Sequence, residues 1–373
     1  MGTQAFRTDF ALDEEEDRFF ISGVEKAERS RHTYEHQARK KKVIVGVAIG
    51  VGSVALVALI LGLACMPPQF VISTGDNFYP SGLNSAEDPQ FSVSFSRVYS
   101  GPGLQVPWYA VMGNHDYGDN VDVNLLSEGT CLQAPASPAE CAGKCCISPW
   151  WQITPELAAR DTRWNATMGG VVTRRFPLQA GEDGRNRSLD ILFMDTVPLI
   201  YQYQDRPWSS FLYGFKSQDA DAIRASLQRQ LNESYAGGNG SSWRLVVGHH
   251  PVRSYGRHCT QPDSNECEDM AFMRPLLQRF RVAAYVNGHD HDQQLIKSPS
   301  DPVHYIVSGA GSDTRPGEFD GLDPELRSQD ALFLSDTQGF VAVVVSGNSM
   351  RVHYYTTDMS GPAYTRVIMQ PSW

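Results

Sequence analysis

Short apolar runs that stop at a glycine recur along this chain. FVIST (70–74) stops at Gly75, VPWYAVM (106–112) at Gly113, WRLVV (243–247) at Gly248 and VAAYVN (282–287) at Gly288. Runs of about four to eight apolar residues bounded by turn formers predict strands buried on both faces. LDILFM (189–194) reads the same way, and HYIVSG (304–309), ALFLS (331–335), GFVAVVVSG (339–347) and MRVHYYTTD (350–358) predict a closing series of strands. Between them, 217–235 carries Leu and Ile at helical spacing with Asp in the first turn, and 267–280 predicts a second helix. Residues 87–99 mix Phe, Val and polar types near helical spacing. Strand–helix units predict an α/β class, and the closing strands predict a second sheet. Residues 118–165 are rich in Gly, Pro, Ser and Cys and predict an insertion held by disulfides. No internal repeat is present.

One apolar run is of a different kind. Val43 to Met66 holds 24 uncharged residues, a helix of roughly 36 Å at 1.5 Å per residue, enough to cross a bilayer. The competing readings are a buried core helix, a cleaved signal peptide and, from LGLAC, a lipid-attachment site. The run is apolar on every face, and 42 residues precede it, too many for an ordinary leader, so the expectation is a signal anchor. Arg39, Lys40, Lys41 and Lys42 abut it, and no charge follows until Asp76. The positive-inside rule then puts 1–42 in the cytosol as a polar tail and 67–373 in a lumen or outside the cell, a single-pass type II topology.

Charge and cysteine agree with that division. The 373 residues carry 32 Lys and Arg against 42 Asp and Glu. Residues 1–42 are balanced at nine of each, so the remainder carries the whole deficit of ten. Such an acidic chain is expected to have no nucleic-acid partner. Six of seven Cys follow the apolar run, at 131, 141, 145, 146, 259 and 267. Three disulfides fit, with 15 pairings open. Cys259 with Cys267 is the simplest local pair, leaving the other four to close among themselves. A zinc knuckle fits poorly, because the Cys145–Cys146 pair has no nearby His. Sequons for N-glycosylation lie at Asn165, Asn186, Asn232 and Asn239.

The glycine-terminated strands are followed by metal-ligand side chains. STGDNFYPSG offers Asp76 and Tyr79, and VMGNHDYG offers Asn114, His115 and Asp116. VVGHHPV offers His249 and His250, and VNGHDHDQ offers His289 and His291. Ligands gather at the carboxyl ends of strands in α/β sheets. Singly each motif reads as a turn; four in one chain do not. Residues two apart in an extended segment point the same way, so His289 and His291 can share one site. Imidazole nitrogen with carboxylate, amide and phenol oxygen suits Zn, Fe or Mn rather than calcium or a thiolate metal. Asp76 can bridge two ions, and two ions roughly 3.5–4 Å apart can activate a water and neutralise a phosphoryl group.

FVISTGDNFYPSG, VPWYAVMGNHDY, ILFMDT, VVGHHPVRSYGRH, VNGHDHDQQL and HYIVSGAG together resemble the purple acid phosphatases of the small tartrate-resistant type, within the calcineurin-like metallophosphoesterase superfamily. The resemblance spans about residues 69–315. It implies a sandwich of two mixed β-sheets flanked by helices, with a dinuclear metal site at the sheet edges. By the family pattern Asp76 bridges, Tyr79 and His291 ligate a ferric ion, and Asn114, His249 and His289 ligate a divalent Fe, Zn or Mn. His115 contacts the phosphate, and His258, nine residues past His249, is the other substrate-facing histidine, one of the two protonating the leaving alcohol. His250 stands at a variable position and is left out. The implied activity is hydrolysis of small phosphomonoesters or phosphoproteins at acidic pH.

One departure stands against this. The family's first motif, a strand ending in GDWG or similar whose Asp ligates the ferric ion, has no counterpart upstream of Asp76. Only Pro67 to Gly75 separate the apolar run from that residue, so the first strand–helix unit is expected to be missing. A gene-model error, an altered or inactive family member, and a ligand recruited from elsewhere each account for it. The rival function is a membrane-tethered binding or interaction domain that keeps the phosphatase shell.

Overall fold

The computed structural model describes residues 68–129, 131–132, 134–178, 187–237, 242–262 and 264–370, with the side chains of 326–328 set aside. The proposed tail and apolar run (1–42 and 43–66) lie outside the described residues. Among those described, no helix is long and apolar enough to cross a membrane. Pro67–Trp373 forms one compact unit.

The apolar runs form the strands their pattern predicts. β1 (Val71–Ser73), β2 (Trp108–Val111) and β3 (Trp164–Thr167) make a parallel sheet in that order. Seven strands make the second sheet: β4 (Val171–Leu178), β5 (Arg187–Met194), β6 (Trp243–Val247), β7 (Ala284–Asn287), β8 (Gln293–Ile296), β9 (His304–Ser308) and β10 (Ala331–Ser335). Their order is β10-β8-β9-β7-β6-β5-β4, with β5, β6, β7 and β9 parallel. β4, β8 and β10 pair antiparallel with their neighbours. β11 (Gly339–Val345), β12 (Ser349–Thr356) and β13 (Pro362–Met369) form an antiparallel meander.

Burial on both faces explains why the central strands read as unbroken apolar runs. From β5 and β6, Leu189, Ile191, Phe193, Trp243, Leu245 and Val247 face one core, where Met350, Val352, Tyr354 and Ile368 of the meander close over them. Leu192, Met194 and Val246 face the other. There α1 (Ala220–Gly237) buries Ile223, Leu227 and Leu231, one per helical turn. A third cluster, of Phe78, Phe91, Phe95, Trp108, Trp151 and Trp164, lies under the Cys-rich insertion.

Several expectations need correction. The described residues form three sheets, not two, and only the seven-stranded one is mixed. β1 and β11 each end a sheet, so no hydrogen-bonded strand joins the parallel sheet to the meander among the described residues. The helix expected over 267–280 is split. α2 (Arg257–Thr260) is followed by α3 (Glu266–Asp269) and α4 (Met273–Arg279). Pro275 can sit only in the first turn of a helix, which forces α4 to begin afresh. Residues 87–99 contain a π-helical segment, Phe91–Ser96. β3, β4, β8 and β13 form where the apolar pattern predicts no strand. The insertion is loop-rich as expected, cross-linked by Cys131–Cys145 and Cys141–Cys146, and Cys259 pairs with Cys267. Of the sequons, Asn232 is exposed on α1 and Asn165 is half-buried in β3, its amide donating to Arg163 O; the other two fall outside the described residues.

Candidate metal centre

β1, β2, β6 and β7 each run into a turn at their carboxyl ends, and these four turns meet. Asp76 and His289 hold positive φ, 54° and 66°, uncommon for residues with a side chain. Gly75, at φ 98°, lets the chain turn against the His249 ring with no side chain between. Buried Asp116 braces the first two turns. It accepts from Gly113 N at 2.9 Å, Asn77 N at 3.0 Å and Gln152 Nε2 at 2.7 Å. Its carboxyl is pushed up to about 6, by burial and then by Asp76.

Hydrogen bonds fix which atoms face inward. Asn114 Nδ2 donates to Asp119 Oδ2 at 2.7 Å, so its Oδ1 points into the site. His249 Nδ1 lies 2.8 Å from Thr74 O, which can only accept, so Nδ1 carries the proton and Nε2 presents a lone pair. That Nε2 is 3.1 Å from Asn114 Oδ1, 3.0 Å from His289 Nδ1 and 3.3 Å from Asp76 Oδ2. Oxygen and nitrogen atoms from three side chains therefore lie within 3.3 Å of the His249 Nε2 lone pair, an arrangement that repels unless a cation or proton lies among them. Without an ion the proton takes that role. Burial alone would lower His249, but Asp76 outweighs it and the imidazole is raised. Burial likewise opposes ionised Asp76, yet His249, then His115 and His289, hold its carboxyl far below the ordinary range.

A second convergence adjoins the first. Tyr79 Oη lies 3.0 Å from Asp76 Oδ2 and 3.2 Å from His291 Nε2. Asp76 Oδ2 is common to both groups, as a bridging ligand requires. Burial, then Asp76, pushes the Tyr79 phenol well above its usual value, and burial, then Arg315, lowers His291 to about 4. His291 Nδ1 lies 3.8 Å from the carboxylate of exposed Asp313. The buried Arg315 Nη1 has no hydrogen-bond partner.

The two remaining histidines flank the centre. His115 N donates to Asp76 Oδ1 at 3.0 Å, and its Nδ1 is 2.5 Å from Pro80 O, leaving Nε2 uncommitted. His258 Nδ1 lies 2.7 Å from buried Asp290 Oδ1, and its ring packs on that of His289 with centroids 3.9 Å apart. Asp290 is held down at about 2, burial opposing and the His258 hydrogen bond prevailing.

The fold thus gathers all eight singled-out residues, and adds others. His249, His250 and His289, and separately His258, Glu266 and His289, bring donor atoms within 4.8 Å of one another. His250 is buried with Nδ1 2.8 Å from Thr196 Oγ1 and Nε2 2.9 Å from Tyr203 Oη, so both ring nitrogens are already engaged. Asp290 was within reach of the sequence, lying between two ligand-type histidines. Glu266 was not: it sits in the acidic stretch NECED with nothing to mark it.

A family model described as calcineurin-like phosphoesterase matches residues 52–293, starting inside the apolar run. Purple acid phosphatase 3 of Arabidopsis thaliana is 34% identical over 77% of this chain and 65% of its own. Purple acid phosphatase 4 of the same plant is 31% identical, over 79% and 72%. Human tartrate-resistant acid phosphatase type 5 is 27% identical, over 80% and 72%. Among solved structures, GAP50, described as the anchor in the inner membrane complex of Plasmodium, shares the fold at TM-score 0.53 and 20% identity, over 81% of this chain and 78% of that one.

Proposed function

Because the chain belongs to the calcineurin-like phosphoesterase family and is related to the purple and tartrate-resistant acid phosphatases, we propose that it hydrolyses phosphomonoesters at acidic pH through a dinuclear metal centre. The observation that carries this is the approach of Asn114 Oδ1, His289 Nδ1 and Asp76 Oδ2 to within 3.3 Å of His249 Nε2. These four would hold a divalent ion, Fe, Zn or Mn. Asp76, Tyr79 and His291 would hold a ferric ion beside it. The pair would supply Lewis-acid polarisation of the phosphoryl group and activation of water.

The chain's own residues do the rest. Asp290 fixes the His258 ring through Nδ1–H, so that the imidazolium form gives its Nε2 proton to the leaving alcohol oxygen and is left as the neutral ring. His115 is held by its backbone contact and by Nδ1–H on Pro80 O, and as the imidazolium it donates Nε2–H to a phosphate oxygen. Residues 43–66 anchor the chain and leave 67–373 in a lumen or outside the cell. Three disulfides support an oxidising compartment.

The test is turnover of monoester and diester substrates side by side by the full chain in detergent, against His249→Ala. A monoester preference and a loss of roughly 100-fold or more in the variant are expected; equal activity in both proteins ends the proposed role of His249. A second reading has one observation in its favour: the ferric position has three donors among the described residues, with the half-buried Arg315 guanidinium nearby. On that reading the chain is a phosphatase-like binding domain, and metal analysis finds fewer than two ions per chain.

A further inference from the structure

Among the buried acids that the reaction scheme leaves unused, one lies against a ligand-type histidine. Glu266 is 3% exposed, and its Oε1 accepts from Gln202 Nε2 at 2.6 Å and from Tyr203 Oη at 3.1 Å. Its other oxygen, Oε2, lies 2.6 Å from His289 Nε2, off the ideal line of a hydrogen bond. The contact is not aligned as a hydrogen bond, and neither of these two atoms has any hydrogen-bond partner among the described residues. We infer that Glu266 is a positioning residue: it sets the tautomer of His289 so that Nδ1 is the nitrogen offered to the metal, and the Cys259–Cys267 disulfide holds it there.

The chemistry is one of proton placement. A neutral imidazole carries a single N–H, and only the other nitrogen can ligate a metal. His289 Nδ1 faces the lone pair of His249 Nε2 at 3.0 Å. A carboxylate at Nε2 draws the proton to that side and leaves Nδ1 bare. An acid behind the ligating histidine is the general device for orienting metal-bound imidazoles. Here its aim is narrow, because Gln202 and Tyr203 saturate one oxygen and leave the other to His289.

The disulfide ties this acid to the proton donor. Cys259 follows His258, and Cys267 follows Glu266. His258 lies against one side of His289, with ring planes 32° apart, and Glu266 meets its Nε2. The helices that carry them, α2 and α3, have four residues each, too short to persist alone. One cross-link therefore holds both neighbours of His289 in place.

This rests on His289 serving as ligand of the divalent position, and the experiment separates the two claims. The full chain is purified in detergent and stripped of metal, and His289 is read by 15N NMR with labelled histidine. Proton on Nε2 is expected; proton on Nδ1 overturns the inference without any variant. In Glu266→Gln the amide oxygen still accepts from Gln202 and Tyr203, which turns the NH2 toward Nε2 and shifts the proton to Nδ1. Zinc affinity, by calorimetry, should fall about 10–100-fold, with the melting curve of the metal-free protein unchanged. An unshifted tautomer with unchanged affinity overturns the assignment. Should the parent chain bind no zinc at all, the phosphatase reading fails, while the parent tautomer still decides what Glu266 does.

Discussion

Substituting Gly75 by Ala adds one methyl group at the narrowest point of the centre. Gly75 sits at φ 98°, where an L side chain is strained, at about 1–2 kcal/mol. The added Cβ would lie 2.8 Å from His249 Cγ, nearer still to Nδ1, and 3.0 Å from Gly113 N. Restoring 3.4 Å, the near edge of ordinary contact, requires Cγ to retreat by about 0.6 Å and Nδ1 by more, on the order of 1 Å. The ring has little freedom to do so, since Nδ1 is tied to Thr74 O at 2.8 Å, one residue before the substitution. Moved, its Nε2 leaves the point shared with Asn114, His289 and Asp76. Misplacing a reacting group by about 1 Å costs on the order of 100-fold. Gly75→Ala should therefore lose about 1–2 kcal/mol in zinc-free urea unfolding, and lose up to about 100-fold in both zinc affinity and kcat/KM. Gly101, with nothing within 4 Å of its would-be Cβ, is the control and should be neutral as Ala. Wild-type zinc affinity and stability in Gly75→Ala would refute the geometric argument.

The remaining predictions follow from metal content, burial and charge. Elemental analysis of the full chain should find two metal ions, with a violet absorbance that Tyr79→Phe abolishes; colour persisting in that variant would remove Tyr79 from the ferric position. Asp195 accepts from Gly169 N and Tyr117 Oη, both at 2.7 Å, yet burial prevails and lifts its carboxyl to about 6. An acid raised in the fold contributes stability that is full below its ordinary 3.8 and is lost as pH rises through about 6. Unfolding free energy measured from pH 4 to 6 should fall more gently in Asp195→Asn than in the parent, and identical slopes would contradict this. Asp190, fully buried, has the opposite sign: burial opposes ionisation, but Arg175 at 2.7 Å and Ser234 at 2.6 Å hold its carboxyl low. Arg175→Met should cost on the order of 1–3 kcal/mol near pH 7, a difference that shrinks as pH falls below the ordinary carboxylate range; a difference independent of pH would count against it.

What the sequence disclosed and what it hid differ for physical reasons. β1, β2, β6 and β7 were legible because strands buried on both faces must be apolar throughout, and the glycines that end them mark the turns where ligands project. β4 was hidden by Arg174, Arg175 and Pro177, which an edge strand tolerates. β8 was hidden by Gln293 and Gln294, polar residues in a fully buried strand, which the fold allows because their amides find partners: Thr337 O and Tyr355 O for one, Asp292 and Ser254 for the other. The histidines and Asp76 announce themselves by type and spacing. Glu266 comes to the centre only through the chain path after α2 and the pairing of Cys259 with Cys267, a contact across 23 residues that no local pattern encodes.

These supporting contacts also bear on why the centre keeps its shape. Inward-facing groups are held from behind by hydrogen bonds that do not involve an ion, Asn114 by Asp119, His249 by Thr74 and the turn of Asp76 by Asp116, and Glu266 lies behind His289 at 2.6 Å. Acceptors forced together in this way repel, and the chain further bears positive φ at Asp76 and His289. A fold selected for stability alone would relax both, for instance with a residue other than His at the positive-φ position or a donor in place of Asn114 Oδ1. Uncompensated, such a cluster costs several kcal/mol, more than a marginally stable domain readily spares. The cost is recovered only when positive charge enters, so the arrangement is intelligible as a cation site prepared by the fold before the cation arrives.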